Sequence, residues 1–161
     1  MKATDYMLER DYIDKDRKAA IGSSYGGYMA SWIAGHTDRF TCLVNHAGVY
    51  NTHLMFAADN TWYRPHQYDG SPWEDFDIMM EKNPAMFAEN FKTPMLIYHG
   101  EKDYRVVVAN GLLVYGIYKR MGLDARFVYY PDENHHILSP QNSIYWYKEL
   151  HNWLDRYLSP R

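Results

Sequence analysis

Four short, largely apolar runs most constrain what this chain can fold into. Each run ends in a glycine or is followed within two residues by a glycine or a proline, so each is bounded as a separate short element. Runs of five or six such residues are typical of strands that are buried on both faces of a sheet. The sequence predicts these strands at residues 17–22, 41–46, 95–99 and 125–130. Such strands need cover on both faces, so the intervening segments decide the fold class.

Helical patterns fill most of the gaps between these strands. Helices are predicted at residues 25–36 and 107–121, from Pro140 onward with Ser139 as N-cap, and weakly at 3–10. Their expected core-facing side chains are Tyr28, Met29, Trp32 and Ile33, then Val108, Leu112 and Tyr115, and finally Tyr147, Leu150, Leu154 and Tyr157. Residues 49–92 are irregular and are predicted to form a covering loop with short helices. The alternation predicts an α/β fold with a parallel sheet and helices on both faces.

Composition narrows the classes of function. The 161 residues suit one domain, and a formal net charge of -3 argues against a nucleic-acid or anionic-membrane partner. Cys42 is the single cysteine, which excludes an internal disulfide framework and a cysteine-based zinc site. No apolar run approaches the roughly 18 residues that a membrane span requires. The charged N-terminus lacks the apolar region of a signal peptide.

The turn after the first predicted strand carries the pattern G-x-S-x-G, with Ser24 at its centre. The flanking residues must be small because the strand turns sharply into a helix and lifts the serine hydroxyl clear of the backbone. Amide groups at the helix N-terminus then lie near any negative charge that develops there. Position at a strand-to-helix junction makes Ser24 a candidate nucleophile.

Acid and base candidates follow the third and fourth strands, in the order Ser, Asp, His that is typical of hydrolases with this turn. Asp103, with Glu101 as its rival, lies in the segment 99–106, and His135, with His136 as its rival, lies in the segment 131–138. The carboxyl ends of parallel strands meet at one edge of a sheet, so these residues are expected to come together.

The sequence resembles the prolyl oligopeptidase family of serine peptidases over nearly its whole length. The residues that carry the resemblance are GSSYGGYMA at 22–30, HGEKDYRV at 99–106 and YPDENHHIL at 130–138. The similarity is greatest to the branch of acylaminoacyl peptidases and dipeptidyl-peptidase-V-like enzymes. It implies an α/β-hydrolase fold, a peptide substrate and no cofactor or metal. It also implies Ser24 as nucleophile, Asp103 as acid and His135, rather than His136, as base.

The same resemblance implies further roles near the scissile bond. The backbone amide of Tyr25 would stabilise the oxyanion, and Arg105 would bind a substrate carbonyl. Val106, Trp62 and Tyr63 would line the pocket for the substrate side chain.

Two parts of a typical family member have no counterpart in this sequence. These are the N-terminal β-propeller and the first half of the hydrolase sheet, so residues 1–161 are expected to form the C-terminal half of a catalytic domain. The strand at 17–22 would then expose an apolar edge, available to the missing segment or to a second copy of the chain.

Three alternatives remain beside the peptidase hypothesis. The chain could be a non-catalytic fragment or interaction module, or it could use the same triad on esters. A metal site formed by His99, Glu101, Asp103 and His135 is disfavoured because H-x-x-x-H and H-E-x-x-H spacings are missing. His46 and His99 are expected to be structural residues whose ring nitrogens are hydrogen-bonded.

Overall fold

The computed structural model describes residues 2–160 and centres on a four-stranded parallel sheet. The strands are β1 (Ala19–Ser23), β2 (Cys42–His46), β3 (Met95–Gly100) and β4 (Ala125–Tyr130), and they lie side by side in chain order. This confirms the predicted α/β class. Among the described residues, β1 and β4 form the two edges of the sheet.

Six α-helices and three 3-10 helices are distributed around this sheet within residues 2–160. The α-helices are α1 (Lys2–Met7), α2 (Tyr25–His36), α3 (Arg64–Tyr68), α4 (Phe76–Glu81), α5 (Ala109–Arg120) and α6 (Pro140–Leu158). The 3-10 helices span Thr52–Ala57, Thr61–Tyr63 and Pro84–Asn90. Predicted and observed ends differ by at most three residues, which is the usual uncertainty at frayed termini. None of the helices in the described range has the length and apolarity needed to cross a membrane.

The two faces of the sheet bury alternate side chains, because successive residues of a strand point in opposite directions. On one face, Leu43 and Ile97 pack with Val114 and Tyr118 of α5. On the other face, Val44, Leu96 and Tyr98 pack with Trp153 of α6. A third apolar cluster lies beneath the irregular segment and includes Met55, Met79 and Val106.

Helix α2 packs most closely through its smallest residues, and the predicted face is confirmed only in part, since Tyr28 and Ile33 pack against the core as partly buried side chains. Its buried residues are Gly27, Ala30, Ser31, Ala34 and Gly35. A Cβ atom on Gly27 would lie 2.6 Å from the Cα of Gly48, so helix and strand end approach too closely for a larger side chain. The aromatic residues of α2 therefore lie to the side of this contact.

The other two predicted helix faces fare differently. In α5 the buried residues include Gly111, Val114 and Tyr118, and of the predicted residues Tyr115 packs against the core whereas Leu112 is exposed, so that prediction is confirmed only in part. In α6, Leu150, Leu154 and Tyr157 pack against the core as predicted, but Tyr147 is exposed. The apolar stripe of α6 was readable because this long helix covers the sheet with one face only.

Candidate active site

Ser24 occupies the tight turn between β1 and α2 and has an unusual backbone conformation. Its φ is 56° and its ψ is -114°, a sparsely populated region that costs free energy for a residue with a side chain. The amide of Ser24 donates a hydrogen bond of 2.9 Å to the carbonyl of His46, which holds the turn against β2. A Cβ atom on Gly22 would lie 2.2 Å from the carbonyl carbon of Gly26, so the turn requires glycine at position 22. This strand-to-helix turn has the geometry expected for the central serine of a G-x-S-x-G pattern.

The amide of Tyr25 is the first N–H group of α2. Helix N-termini leave their first amides without an intrahelical acceptor, and among the described residues none accepts a hydrogen bond from this one. It therefore points a free donor into the region beside Ser24, where the helix dipole also favours negative charge.

Asp103 and His135 are joined directly. The Nδ1 atom of His135 lies 2.7 Å from Oδ2 of Asp103, whose residue is only 2 % exposed. The structure thus pairs Asp103, rather than the exposed Glu101, with His135, rather than the exposed His136. With Nδ1 engaged, Nε2 is the nitrogen of His135 that remains for another partner. No hydrogen bond joins it to the Ser24 hydroxyl within residues 2–160, and such contacts commonly tighten only when substrate binds.

The carboxylate of Asp103 is stabilised as an anion. Its Oδ1 atom accepts the amides of Arg105 and Val106, each at 2.9 Å. Burial alone would raise the pKa of Asp103, but the hydrogen bonds from His135, His99 and the Val106 amide outweigh it and hold the pKa well below its usual value. A carboxylate that stays ionised can orient an imidazole and stabilise its charged form.

Glu133 fixes the loop that carries His135, a role that sequence reasoning missed. Its carboxylate accepts the amides of Leu138 and Ser139, each at 3.0 Å, just before α6 begins. Burial acts to raise the pKa of Glu133, but these hydrogen bonds and one from Asn142 lower it to about 2. The sequence signal was an acidic residue followed, six residues later, by the N-cap serine of a helix.

Gly100 allows this loop to lie across the end of β3. A Cβ atom on Gly100 would stand 2.3 Å from the carbonyl oxygen of Asn134. The backbones after β3 and β4 therefore touch, and this close approach brings Asp103 and His135 within hydrogen-bond distance.

A cavity of about 610 Å³ opens beside Ser24. Its lining includes Tyr25, Tyr63, Arg105 and Val106, four residues that the sequence associated with substrate. Trp62 does not line it, so that prediction is corrected. The short 3-10 turn at Thr61–Tyr63 directs the indole of Trp62 outward, where it is 76 % exposed and packs edge-on against Tyr63.

Charged residues that the sequence analysis did not single out form one wall of the cavity. Arg105 Nε lies 3.3 Å from an Asp59 carboxylate oxygen, and Arg64, only 4 % exposed, donates to the backbone carbonyls of both Asp59 and Arg105. Arg64 also donates to the Gln67 side chain at 2.6 Å. Arg105 is thus held from two sides by a segment more than forty residues away in the chain.

The two histidines expected to be fully hydrogen-bonded are not. Nε2 of His46 and Nδ1 of His99 are buried without a partner among the described residues, which corrects the prediction. His46 lines a second cavity of about 260 Å³ with His136 and Trp146. Burial, reinforced by the neighbouring histidines, lowers the pKa of His46 to about 4. His99 instead contacts Asp103.

Within residues 2–160, no three histidine, cysteine, aspartate or glutamate side chains come together in a way that could hold a metal ion. The imidazoles of His99 and His135 both lie near Asp103, but His135 Nδ1 faces the Asp103 carboxylate and His99 Nε2 faces the Val106 carbonyl and that carboxylate. The described site therefore offers hydrogen-bond and proton-transfer chemistry from side chains.

Comparisons with known proteins agree with this geometry. Residues 1–161 match the sequence profile of the prolyl oligopeptidase family. The chain is 35% identical to dipeptidyl-peptidase 5 of Porphyromonas endodontalis, over 98% of this chain and 24% of that protein. It is 36% identical to dipeptidyl-peptidase 5 of Schizosaccharomyces pombe, over 91% of this chain and 22% of that protein. The chain thus spans about a quarter of the length of the curated relatives that it matches.

A solved structure gives the same fold. The acylaminoacyl peptidase of Pyrococcus horikoshii superposes with a TM-score of 0.91 and covers 99% of this chain and 27% of its own, at 22% identity. The four parallel strands and their helices are therefore part of an α/β-hydrolase fold, as the sequence predicted.

Proposed function

Because the chain belongs to the prolyl oligopeptidase family, we propose that it carries the catalytic triad of a serine peptidase. Ser24 is the nucleophile, His135 the general base and Asp103 the acid that orients it. The observation that carries the proposal is the 2.7 Å contact between His135 Nδ1 and Asp103 Oδ2, which leaves Nε2 free at the edge of the sheet that also bears Ser24. That arrangement is the one that acyl transfer requires.

The reaction begins when the Ser24 oxygen attacks the peptide carbonyl and its proton passes to Nε2 of His135. The tetrahedral intermediate collapses as the imidazolium returns that proton to the departing amine, leaving an acyl-serine. Water then attacks the ester, again with His135 as base, and releases the acid and free Ser24. Asp103 keeps its charge throughout and stabilises the imidazolium.

The free amide of Tyr25 donates a hydrogen bond to the negative oxygen of the intermediate. This N–H group is fixed by α2 before substrate arrives, so no reorganisation is needed when charge develops. The turn that strains the backbone of Ser24 places this amide at the start of α2, directly after the nucleophile.

Substrate occupies the 610 Å³ cavity beside the nucleophile. Arg105 binds a substrate carbonyl, and its ion pair with Asp59 holds the guanidinium at the rim. Val106 and Tyr63 contact the side chain before the scissile bond. Trp62 is excluded from this role because its indole lies outside the lining.

The free edge of β1 accepts another strand. Among the described residues β1 pairs only with β2, and its Ile21 is 52 % exposed. Since the matched relatives are about four times longer, the remainder of a longer peptidase would extend the sheet here. A second copy of the chain is the alternative partner. Light scattering during size-exclusion chromatography distinguishes a dimer from a monomer.

Fluorophosphonate labelling tests the triad, since the probe phosphonylates an activated serine, with fluoride as the leaving group. We expect labelling of the wild-type chain and of Ser23→Ala, and none of Ser24→Ala. Ser23 is a matched control because it is exposed and adjacent to the nucleophile. Equal labelling of wild type and Ser24→Ala would overturn the proposal and favour a non-catalytic module.

The leaving group separates a peptidase from an esterase that uses the same triad. Dipeptidyl and N-acyl-aminoacyl anilides require protonation of an amine, whereas short acyl esters have better leaving groups. A peptidase should hydrolyse the anilides with a rate that depends on His135. Turnover of esters alone would assign the chain to the ester-cleaving alternative.

A further inference from the structure

His99 is a buried imidazole that the proposed reaction does not use. It lies at the end of β3, four residues before Asp103, and has no exposed surface. Its Nε2 atom is 2.7 Å from the carbonyl oxygen of Val106 and 3.3 Å from Oδ2 of Asp103. A histidine held between a carbonyl of the cavity wall and the carboxylate of the triad can couple the two.

The proton of His99 is placed by its surroundings. Both neighbours of Nε2 are acceptors, so Nε2 carries the hydrogen and shares it between them, more strongly with Val106. Nδ1 has no partner, and a Cβ atom on Gly111 of α5 would approach it to 2.7 Å. Because Gly111 has no side chain, the ring can reach Asp103 without being displaced.

The Asp103 carboxylate is thereby surrounded by donors. Oδ1 accepts the amides of Arg105 and Val106, and Oδ2 faces the imidazoles of His135 and His99. Three N–H groups donate to the carboxylate directly, and the Nε2–H of His99, whose nearer acceptor is the Val106 carbonyl, lies 3.3 Å from the same Oδ2 that faces His135. Val106 takes part twice, through its amide to Asp103 and through its carbonyl to His99.

We propose that His99 is a positioning residue that orients the Asp103 carboxylate toward His135, and that Gly111 provides the space it needs. It acts directly, through the shared hydrogen on Nε2, and through Val106, whose carbonyl it anchors. The inference rests on the proposed function, because Asp103 is assigned to the triad there.

Other titratable groups near this cluster come from two elements. His46 extends from the end of β2. His136 follows His135 in the loop after β4, and the ring centroids of His135 and His136 are 5.3 Å apart. Helix α5 meets His99 through Gly111, which carries no ionisable group, and Phe127 of β4 lies at the same contact. The His99 variants below leave His46 and His136 in place.

A proton NMR experiment on the full chain tests the proposal without requiring turnover. The hydrogen between His135 Nδ1 and Asp103 Oδ2 should give a downfield resonance that exchanges slowly with water. In His99→Phe, which keeps an aromatic ring but lacks the N–H, we expect its exchange to be about 10- to 100-fold faster, as loss of a hydrogen bond to a charged group predicts. His99→Gln places an amide N–H near Nε2 and should retain slow exchange.

If His99 only fills space, the two variants should show the reverse of the expected pattern of proton exchange. In that case His99→Phe would keep the resonance and His99→Gln would lose it, which would overturn the proposal. His99→Gln decides the matter by itself if the phenylalanine variant fails to fold. Circular dichroism identifies which variants are folded.

Gly111→Ala tests the same contact from the opposite side. Its new methyl group would push the His99 ring away from Asp103, so the exchange of the His135 proton should accelerate as in His99→Phe. Gly116→Ala is the matched control on α5, because a Cβ atom there meets nothing within 4 Å. Equal exchange in the two alanine variants would contradict the role given to Gly111.

Kinetics supply a second readout if the chain turns over anilides. His99→Phe should lower kcat about tenfold or more with KM unchanged, and His99→Gln should restore it. An inactive, unlabelled wild-type chain that still shows the protected proton would refute the proposed function and leave His99 as a positioning residue for the Asp103–His135 pair. An active chain whose protected proton is indifferent to His99 would refute the further inference alone.

Discussion

The two sides of the candidate site are built in different ways. On one side, the turns after β1, β3 and β4 hold Ser24, Asp103 and His135 with short hydrogen bonds over close backbone contacts. On the other side, the segment 49–92 contributes short helices and Arg64 to the cavity wall, and its Asp59 pairs with both Arg64 and Arg105. Under the proposed function, the first side positions the reacting groups, whereas the second side binds the substrate. Substitutions should therefore affect turnover on the first side and binding on the second.

Asp103→Asn should have the largest effect because it changes the hydrogen-bond partner of His135 without altering side-chain volume. An amide that donates to Nδ1 would leave the wrong tautomer of His135 facing Ser24. We expect kcat on an anilide substrate to fall by about 10⁴-fold with KM nearly unchanged. A loss confined to KM would mean that Asp103 belongs to the binding side.

Gly22→Ala and Gly26→Ala test whether the serine turn is as tightly packed as the triad. The first substitution places Cβ 2.2 Å from the Gly26 backbone, whereas the second meets nothing within 4 Å. Gly22→Ala should lower the free energy of unfolding by about 3 kcal/mol, and Gly26→Ala should be close to neutral. Urea titrations followed by tryptophan fluorescence measure both. Similar values for the pair would show that the turn relaxes.

Arg105→Ala tests the binding side. The proposed role of the guanidinium is to donate to a substrate carbonyl, so its loss should raise KM about 10- to 100-fold with a smaller change in kcat. Arg39→Ala is the control, since Arg39 pairs with Asp5 rather than with cavity residues. A large fall in kcat at unchanged KM would place Arg105 with the triad.

Glu133→Gln should have the smallest effect and concerns the acid stability of the His135 loop. The pKa of Glu133 is lowered to about 2 in the folded chain, below its ordinary 4.5, so the unfolded chain binds more protons between these pH values. The stabilisation is present above about pH 4.5 and is lost as pH falls toward 2.

Urea unfolding at pH 6 and pH 3 measures this dependence. Wild type should exceed Glu133→Gln in stability at pH 6, and the difference should shrink at pH 3. A difference that does not vary with pH would show that the ionised carboxylate is not what stabilises the loop.

The sequence placed the three residues of the chemistry side at one edge of the sheet, whereas on the binding side it named Tyr63 and Trp62 without separating the one that lines the cavity from the one that does not. Strand ends and the G-x-S-x-G turn are local patterns, so Ser24, Asp103 and His135 could be placed at one edge from the order of the elements. Residues 49–92 have no period to follow. Within this segment a single 3-10 turn directs Tyr63 toward the cavity and Trp62 away from it.

Helix faces show the same limit. The stripe of α6 was predictable because apolar residues recur on one side of a nineteen-residue helix. The face of α2 was predictable only in part, because glycine and alanine carry little hydrophobic signal and yet make its closest contact.

The sequence by itself determined the α/β alternation, the serine turn and the order of the candidate triad, because these depend on neighbours along the chain. Only the tertiary structure decided that Asp103 pairs with His135, that His99 reaches Asp103 past Gly111, and that Arg64 holds Arg105. Asp103 and His135 lie far apart in the chain, as do Arg64 and Arg105. His99 and Asp103 are near in the chain, but their contact depends on the space left by Gly111 of α5. A hydrogen bond depends on distances and side-chain directions of a few tenths of an ångström and some tens of degrees, and these are fixed only when the elements pack.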